Sequence, residues 1–490
     1  MSQDNLVLAV DQGSGSTKAL LVSSSGAVVA SASVPVASTY PRPGWVEQSP
    51  AEILDSVRGV VARIMQGHDP SAVVAVGFST QRESLLLWDR RTGHPISPLI
   101  SWQDQRSAGQ CQVLAEAGHA DLVRSRSGLP LDPMFSATKA TWLLDAYDPD
   151  RSNSRAGRLC LGTVDSWLIS RFGAQHLIEV GNASRTQLLD IHTGKWDEDL
   201  LTLFGVPAQV LGEVVASTGP FPTARGLDPL RADTPITAVL GDSHAALFAH
   251  AGWNPGTVKA TYGTGSSVMG LCPPGATVSP GLCLTIAWDT GAGPNLAMEG
   301  NIRSSGATLN WLSRLFGQSP AALAALADTA TSDGVHIVPA FNGLGAPYWD
   351  RDAVGLLSGL TLGTELPQIA RAALESVAFQ VEDVVAAIDR SGVPVSLLLA
   401  DGGASGNPVL MQLQADTSGR LVARAADADL SSLGAAHLAG RQVGLWSTDD
   451  LQRLPRKRQT FVPSVSADER ESRQRGWSTA VLRSRPPVLR

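Results

Sequence analysis

Two aspartates in this sequence stand where an apolar run ends. Asp11 follows LVLAV and opens the segment DQGSGST, and Asp242 follows ITAVLG and opens DSHAALFA. Asp11 could hold Mg²⁺, which prefers few carboxylates and several waters. Asp242 could accept the proton of an attacking hydroxyl. Each aspartate also has a simpler interpretation: Asp11 could cap a turn, and Asp242 could be the N-cap of the next helix.

Segments rich in glycine and hydroxyl residues occur once in each half of the chain, as DQGSGST at 11–17 and TYGTGSS at 261–267. Such chains bring backbone N–H groups close to phosphate oxygens, and the hydroxyls add donors. Neither segment is a P-loop or a dinucleotide-binding glycine motif. One such loop alone is usually an ordinary turn. Two of them, with a third glycine turn, DGGASGN, at 401–407, favour nucleotide phosphates.

A third group of residues could bind a small molecule that has several hydroxyl groups. In STQRESLLLWD, Arg82 and Glu83 follow an apolar strand, and such a pair can donate to and accept from vicinal hydroxyls. A surface salt bridge is the simpler interpretation. In SWQDQRS, the ring of Trp102 could pack on the C–H side of a polyol, although a tryptophan in the core would have the same sequence pattern.

These residues need a framework, and the flanking sequence predicts an α/β fold. Short strands at 6–10, 19–22 and 27–30 with tight links predict an antiparallel meander. Ser49, Pro50 and Glu52 predict a helix start, and a strand is expected at 72–79. The second half repeats the plan with a strand before Asp242, a hairpin at TYGTGSS and a helix at ARAALESVAFQVEDVVAAI. We therefore expect two similar domains around a cleft, at 1–234 and 235–490.

Composition limits the partners. The 490 residues carry a net charge of −7, with 43% hydrophobic and 17% charged residues, which gives no electrostatic reason to expect nucleic acid or an anionic membrane. No apolar run reaches membrane-spanning length, and no targeting segment is evident. The four cysteines form no zinc-type cluster and are typical of a reducing compartment, so we expect a cytoplasmic protein.

Together the motifs resemble those of the FGGY carbohydrate kinases, most closely the glycerol kinase branch. The resemblance spans nearly the whole chain and includes DQGSGSTKA, PGWVEQSP, TQRES, SWQDQRS, GLPLDPMFSATK, NASRTQLLDIHTGKWD, GDSHAALFA, YGTGSS, FNGLGAPYWD, ALESVAFQ and DGGASGNPVLMQLQAD. It implies a two-lobed, actin/hexokinase-like (ribonuclease H-like) fold around an ATP cleft. It also implies that the N-terminal FGGY domain binds the polyol and contains the first phosphate hairpin. The C-terminal domain would carry the catalytic aspartate, the second hairpin and the adenosine site.

The resemblance also implies roles for individual residues. Asp242 matches the catalytic base, and Asp11 matches a residue that helps to hold Mg²⁺. Arg82, Glu83 and Trp102 match polyol contacts. The positions matching ATP contacts are Ser14, Gly15, Ser16 and Lys18 at the first hairpin, Thr264 and Gly265 at the second, and Gly306, Asn310, Gly403 and Asn407 along the nucleotide.

Three positions depart from the glycerol kinase pattern. Met134 stands where a tyrosine is usual, Ser243 where a glutamine is usual, and Ser267 where an aromatic residue packs on glycerol. The loss of two aromatics and one amide predicts a roomier pocket. We therefore expect a four- or five-carbon polyol or ketose rather than glycerol. Xylulose is not favoured by motif, because the xylulokinase branch usually has Met-His-Gly where this chain has QRES.

The resulting expectation is an ATP- and Mg²⁺-dependent kinase that phosphorylates a primary hydroxyl of a small polyol or sugar, with a homodimer as an option. The alternatives within the family are a true glycerol kinase and a xylulokinase. A catalytically silent sugar-binding regulator and an actin-like assembly or chaperone ATPase are alternatives of other classes. His244 either contacts the substrate or only belongs to the start of a helix.

Overall fold

The computed structural model describes residues 5–173, 175–426 and 429–485. The chain divides into two compact units. Of the described residues, the first unit holds 5–173, 175–251, 284–296 and 429–455, and the second holds 252–283, 297–426 and 456–485. Among the described residues, no helix combines the length and the apolar character that crossing a bilayer requires.

The strands of the described residues are β1 (Leu6–Gln12), β2 (Ser16–Ser23), β3 (Val28–Pro35), β4 (Glu47–Gln48), β5 (Val73–Thr80), β6 (Leu85–Asp89), β7 (Leu99–Ile100), β8 (Leu159–Thr163), β9 (Leu177–Glu179), β10 (Leu189–Asp190), β11 (Lys195–Trp196), β12 (Glu213–Val215), β13 (Ile236–Gly241), β14 (Thr257–Tyr262), β15 (Ser266–Leu271), β16 (Cys283–Asp289), β17 (Pro294–Ile302), β18 (His336–Val338), β19 (Leu356–Ser358), β20 (Leu397–Asp401), β21 (Leu421–Ala425) and β22 (Arg458–Phe461).

The α-helices are α1 (Pro50–Ile64), α2 (Ala108–Glu116), α3 (Ala120–Ser127), α4 (Ser136–Tyr147), α5 (Ser152–Arg155), α6 (Val164–Gly173), α7 (Val180–Ala183), α8 (Glu198–Leu203), α9 (Asp242–Ala249), α10 (Gly306–Phe316), α11 (Pro320–Asp328), α12 (Leu366–Arg390), α13 (Pro408–Ser418), α14 (Leu430–Gln442), α15 (Thr448–Arg453) and α16 (Ala467–Ser484). Short 3₁₀ helices cover Pro70–Ala72, Ala208–Val210 and Gly403–Gly406.

The main sheet of the first unit has the order β13-β5-β1-β2-β3. The strands β1, β2 and β3 pair antiparallel, which confirms the predicted meander, whereas β5 pairs parallel with both β1 and β13. α1 begins as predicted, since the Ser49 side chain accepts the Glu52 N–H at 3.3 Å. α14 lies against β5, where a Cβ on Gly77 would come within 2.3 Å of the Ala435 carbonyl oxygen. A side chain at Gly77 would therefore push the helix off the sheet.

The predicted boundary at residues 234–235 lies inside the first unit. β13, at 236–241, pairs with β5 and extends the first sheet, so the strand leading to Asp242 belongs to that unit. Residues 429–455, near the C-terminus, also belong to the first unit and include α14. Sequence order alone does not reveal this return, because it depends on the packing of α14 against β1 and β5.

In the second unit, the strands β15, β14, β20, β21 and β22 are neighbours in this order in one sheet. β14 and β15 form the predicted hairpin, and β14 runs parallel to β20. The predicted helix is α12, which has 25 residues and buries apolar residues that include Leu374, Val377 and Val381. With alternating sheets and helices in each unit, the predicted α/β class is confirmed.

A buried carboxylate links α12 to α16 within the second unit. Asp383 accepts hydrogen bonds from Trp477 Nε1 at 2.7 Å, Tyr348 Oη at 3.0 Å and Gln474 Nε2 at 3.1 Å. Burial raises the pKa of Asp383 to about 6, because the desolvation of the charge outweighs the help of the three donors. The folded protein therefore holds this proton at a pH at which the unfolded chain has released it.

We expect Asp383 to make the free energy of unfolding depend on pH in a defined direction. Its folded pKa lies above the unfolded value, so its contribution is fully present below about pH 4 and is lost as the pH rises through about 6. The difference in unfolding free energy between wild type and Asp383→Asn should fall by about 2 kcal/mol between pH 4 and 7, as measured by urea denaturation. A difference that stays constant would contradict the assignment, and Asp328→Asn at an exposed position is the control.

Candidate active site

The ends of three parallel strands assemble the polar residues of the first unit. In the sheet register, Asp11 on β1 lies opposite Ser79 on β5, and Gly241 on β13 lies opposite Thr80 on β5. The segment 81–84 leaves β5 between the other two strand ends. Asp11 and Asp242 therefore come to the same edge of the sheet as Arg82 and Glu83, as expected for carboxyl ends of parallel strands.

Asp11 is partly buried at this edge. Ser79 Oγ donates a hydrogen bond to Asp11 Oδ1 at 2.7 Å, so the donor comes from the neighbouring strand rather than from the hairpin turn. Burial raises the pKa of Asp11 to about 7, and the carboxylates of Asp242 and Asp429 add to the rise. The Ser79 hydrogen bond and the Lys18 ammonium oppose it. The raised pKa of Asp11 is therefore mainly an effect of its burial.

Asp242 is the first residue of α9, and Gly241 occupies the N-cap position. The Asp242 Oδ1 atom accepts the Ser243 N–H at 2.6 Å and pairs with Arg82 Nε at 3.2 Å. The side chain of Asp242 is 40% exposed, whereas that of Arg82 is 5% exposed. The buried Arg82 guanidinium therefore orients the Asp242 carboxylate, which remains accessible to a ligand.

Arg82 and Glu83 are buried, which rules out a surface salt bridge. The Arg82 Nε atom lies 4.0 Å from Glu83 Oε1, so the direct contact between the pair is weak. Glu83 Oε1 is held by Arg185 Nε at 2.6 Å, and Arg82 Nη1 lies 3.3 Å from His244 Nε2. Each member of the predicted pair therefore has its own partners from other parts of the chain: Arg185 for Glu83, and Asp242 and His244 for Arg82.

The backbone around this pair is specialised. Glu83 has φ of +62°, in the left-handed region that non-glycine residues seldom occupy. At Gly241, a Cβ would lie 2.6 Å from Arg82 Cδ, so a glycine is needed where the arginine stem passes. Buried His244 reaches Arg82 from the first turn of α9, and the structure thus gives it a contact with a candidate substrate residue.

Trp102 and Met134 lie on two loops of the first unit that a buried lysine connects. Trp102 is half-buried and donates from Nε1 to Ser14 Oγ at 3.1 Å, so it is not enclosed in the core. Lys139 Nζ donates to the Met134 carbonyl at 2.7 Å and to the Ser101 carbonyl at 3.3 Å. Burial lowers the pKa of Lys139 to about 8. Lys139 thereby fixes the backbone on both sides of the candidate acceptor site.

The predicted first phosphate hairpin is a tight turn between β1 and β2. The Gly13 N–H donates to the Ser16 carbonyl at 3.0 Å, and the exposed Gly15 has open space where a Cβ would be. Ser14 and Ser16 are half-buried beside it. Lys18 Nζ pairs with Asp429 at 2.5 Å, in a segment 411 residues away. A phosphate would compete with Asp429 for this ammonium group.

In the second unit, the other predicted hairpin is fixed by the start of α10. The Gly306 N–H donates to the Gly263 carbonyl, and the Ser305 and Ala307 N–H groups donate to the Thr264 carbonyl. A Cβ on Gly265 would lie 2.4 Å from the Ile302 carbonyl oxygen, so this turn requires a glycine. Asn310, one turn further along α10, is exposed.

The third glycine turn of the second unit forms a 3₁₀ helix at 403–406, which includes Gly403. Asn407 caps α13, since its side chain accepts the Val409 N–H at 2.9 Å. Ser267 lies on β15, and its Oγ donates to the buried Glu299 at 2.8 Å. The Ser267 hydroxyl is therefore already engaged with a carboxylate of its own unit.

Sequence reasoning gave no role to four residues whose side chains hold the candidate site. They are Ser79, Lys139, Arg185 and Asp429. Arg185 lies within the recognised stretch NASRTQ, but its partner Glu83 is 102 residues away. No local pattern predicts such pairings, since they depend on how distant segments pack.

The residues at Asp11 fit a magnesium ion. Within the described ranges, no cluster of three or more histidine, cysteine or acidic side chains has the arrangement of a protein-only metal site. Mg²⁺ does not need one, because it commonly uses one or two carboxylates with water and substrate phosphates. Asp11 offers one such carboxylate at the same sheet edge as Asp242.

Comparison with known proteins agrees with this arrangement. Residues 6–249 match the N-terminal domain of the FGGY family of carbohydrate kinases, and residues 258–443 match its C-terminal domain. A glycerol kinase of Aromatoleum aromaticum is 45% identical over 98% of both chains, and one of Paraburkholderia phytofirmans is 42% identical over 98% of both chains.

A solved structure supports the same conclusion at the level of the fold. The crystal structure of Plasmodium falciparum glycerol kinase with ADP covers 99% of both chains with a TM-score of 0.92 and 28% sequence identity. The two domain matches together span most of the sequence, and the strand ends that carry Asp11, Arg82 and Asp242 lie within the first. The chain therefore belongs to the FGGY family of carbohydrate kinases, with their two-domain, actin/hexokinase-like fold.

Proposed function

We propose that this protein transfers the γ-phosphoryl group of ATP to a primary hydroxyl of a small polyol, with glycerol as the first candidate. The observation that carries the proposal is the half-exposed carboxylate of Asp242, supported by Arg82 and Ser243 at the same sheet edge as Asp11. The names of the relatives that cover the whole chain support a glycerol kinase-like acceptor, and the ADP-bound neighbour supports an adenine nucleotide.

The acceptor hydroxyl is activated by Asp242 in this mechanism. Asp242 accepts the hydroxyl proton as the oxygen attacks the γ-phosphorus. The bond from the γ-phosphorus to the bridging oxygen breaks, and ADP leaves with that oxygen. Arg82 keeps the Asp242 carboxylate oriented, because it contacts the oxygen atom that also accepts the Ser243 N–H.

The polyol substrate is recognised by a hydrogen-bond donor, a hydrogen-bond acceptor and an apolar face of the protein. Arg82 donates to a hydroxyl, Glu83 accepts from a neighbouring one, and Trp102 covers the C–H side. Arg185 and Lys139 are positioning residues, since they contact Glu83 and the Met134 carbonyl. Fixed donors and acceptors of this kind lower the entropy cost of reaching the reactive geometry.

The nucleotide is bound by backbone donors and small side chains. Ser14, Gly15, Ser16 and Lys18 contact phosphates from the first unit. In the second unit, the contacts come from Thr264, Gly265, Gly306, Asn310, Gly403 and Asn407. Asp11 would hold Mg²⁺, which when bound neutralises developing charge on the phosphate oxygens. The predicted division of roles is retained, except that Asp242 lies in the first unit.

The expectation of a four- or five-carbon acceptor has no support in the comparisons, because the whole-chain relatives are named glycerol kinases. The departures at Met134, Ser243 and Ser267 remain the reason to test longer acceptors. Ser243 donates its N–H to Asp242, and Ser267 donates its hydroxyl to Glu299. Both residues thus have partners within their own unit.

Replacing the base should separate binding from chemistry. We expect Asp242→Asn to retain ATP binding, measured by calorimetry, and to lower kcat by about 10³-fold or more, because the amide does not accept the hydroxyl proton. Asp233→Asn, at an exposed aspartate paired with Arg231, is the matched control. Turnover near the wild-type rate in Asp242→Asn would show that another group is the base.

Replacing the guanidinium of Arg185 should raise the KM for the polyol substrate more than the KM for ATP. Arg185→Lys keeps the charge but loses the planar guanidinium that holds Glu83 at 2.6 Å. We expect the KM for the acceptor to rise about tenfold, equivalent to about 1.4 kcal/mol of lost binding, with little change in the KM for ATP. Arg90→Lys, at a guanidinium bound to the Gly157 and Gln209 carbonyls, is the control. Equal rises in both KM values would contradict a role at the acceptor.

An acceptor panel tests the substrate directly. ADP release should be measured with glycerol, erythritol, threitol, the pentitols, dihydroxyacetone, erythrulose, xylulose and ribulose. We expect glycerol to give the highest kcat/KM. A tenfold preference for a four- or five-carbon compound would instead identify Met134, Ser243 and Ser267 as determinants of a longer acceptor. No activity with any compound, with ATP still bound, would favour a silent sugar-binding regulator.

A further inference from the structure

Five residues of the first unit form a closed ring of hydrogen bonds, in which Ser14 and Trp102 each use a backbone group as well as a side chain. Trp102 Nε1 donates to Ser14 Oγ at 3.1 Å, and Gln48 Nε2 donates to the Ser14 carbonyl at 2.7 Å. Gln81 Nε2 donates to Gln48 Oε1 at 2.9 Å, and Ser84 Oγ donates to Gln81 Oε1 at 2.9 Å. The Trp102 N–H closes the ring on Ser84 Oγ at 3.0 Å. We refer to these five residues as the Ser14–Trp102 ring.

The inner members of the ring are shielded from water. Gln48 and Gln81 are each 1% exposed, and Ser84 is fully buried. The Gln81 amide makes one further bond, to Gln12 Oε1 at 3.0 Å, so the ring is tied to the end of β1 as well. In a buried setting, a hydrogen bond is stronger and a lost partner is more costly than in water. We therefore expect the loss of one hydrogen bond to weaken the other hydrogen bonds of the ring.

The outer members of the ring belong to two different binding functions. Ser14 lies in the phosphate hairpin, whereas Trp102 is a candidate acceptor contact. Arg82 and Glu83 lie between the ring members Gln81 and Ser84 in the sequence, so the ring holds both ends of the acceptor-binding segment. The five residues come from four separate segments of the chain, at 14, 48, 81–84 and 102.

We propose that Gln48, Gln81 and Ser84 are positioning residues that couple nucleotide binding at the Ser14 hairpin to acceptor binding at Trp102 and the Arg82–Glu83 segment. This inference rests on the proposed function. When a phosphate orders Ser14, the hydrogen bonds of the Ser14–Trp102 ring fix the Trp102 indole and the end of β5. Both are then in the arrangement that the polyol substrate requires. By linkage, a bound acceptor strengthens nucleotide binding by the same factor.

Coupling is measurable as a ratio of dissociation constants on the full-length protein. Glycerol binding should be titrated by calorimetry with and without the Mg²⁺ complex of an ATP analogue that has a methylene group between the β- and γ-phosphorus. We expect the analogue to tighten glycerol binding by about fivefold or more in the wild type. Independent binding of the two ligands in the wild type would overturn the proposal.

Two variants break the ring at different bonds without removing a candidate ligand contact. Gln81→Met removes the bonds to Gln48 and Ser84, and Gln48→Met removes the bonds to Ser14 and Gln81. In each variant we expect the coupling ratio to fall to about twofold or less, while the nucleotide alone binds with nearly unchanged affinity. If either folded variant keeps the wild-type ratio, the ring does not carry the coupling.

A matched control separates coupling from a general loss of stability. Gln187 is equally buried and donates to the Pro130 carbonyl at 2.6 Å outside the ring. Gln187→Met should lower the melting temperature but keep the coupling ratio, and a lowered ratio there would contradict a specific role of the ring. Failure of the proposed function would be visible separately, as wild-type protein that binds both ligands but does not release ADP.

Discussion

The candidate site depends on one feature of sheet pairing: β5 runs parallel to β1 on one side and to β13 on the other. This pairing brings three strand ends to the same edge, each followed by polar residues. The segment after β5 holds Arg82 and Glu83, and the flanking strands end at Asp11 and Asp242. An antiparallel β5 would place its polar end at the opposite edge, far from both aspartates.

Buried charge shapes the chemistry at this edge. Arg82 and Glu83 lie only 4.0 Å apart but have separate strong partners in Asp242 and Arg185. A buried guanidinium and carboxylate need such partners, because an unpaired charge in the interior is costly. The same pairing leaves polar atoms of the Arg82–Glu83 segment in fixed positions, which is the property that recognition of vicinal hydroxyls requires.

Much of the framework could be predicted from sequence because the signals are local. The meander at the N-terminus, the helix start at Ser49 and the hairpin at TYGTGSS each follow from short-range patterns. The position of β13 and α14 in the first unit could not be predicted, since it depends on packing between distant segments. For the same reason, motifs indicated Glu83, Met134 and Lys18, but no pattern indicated that Arg185, Lys139 and Asp429, respectively, contact them.

The left-handed backbone conformation of Glu83 lowers the stability of the fold at the residue that pairs with Arg185. A non-glycine residue in this region stores strain on the order of 1–3 kcal/mol, and glycine would relieve it. Glycine at position 83 would, however, remove the carboxylate that pairs with the buried Arg185 guanidinium, at a cost of about 3–5 kcal/mol that exceeds the strain relieved. Stabilising substitutions in this protein should accordingly be sought away from the turn that follows β5.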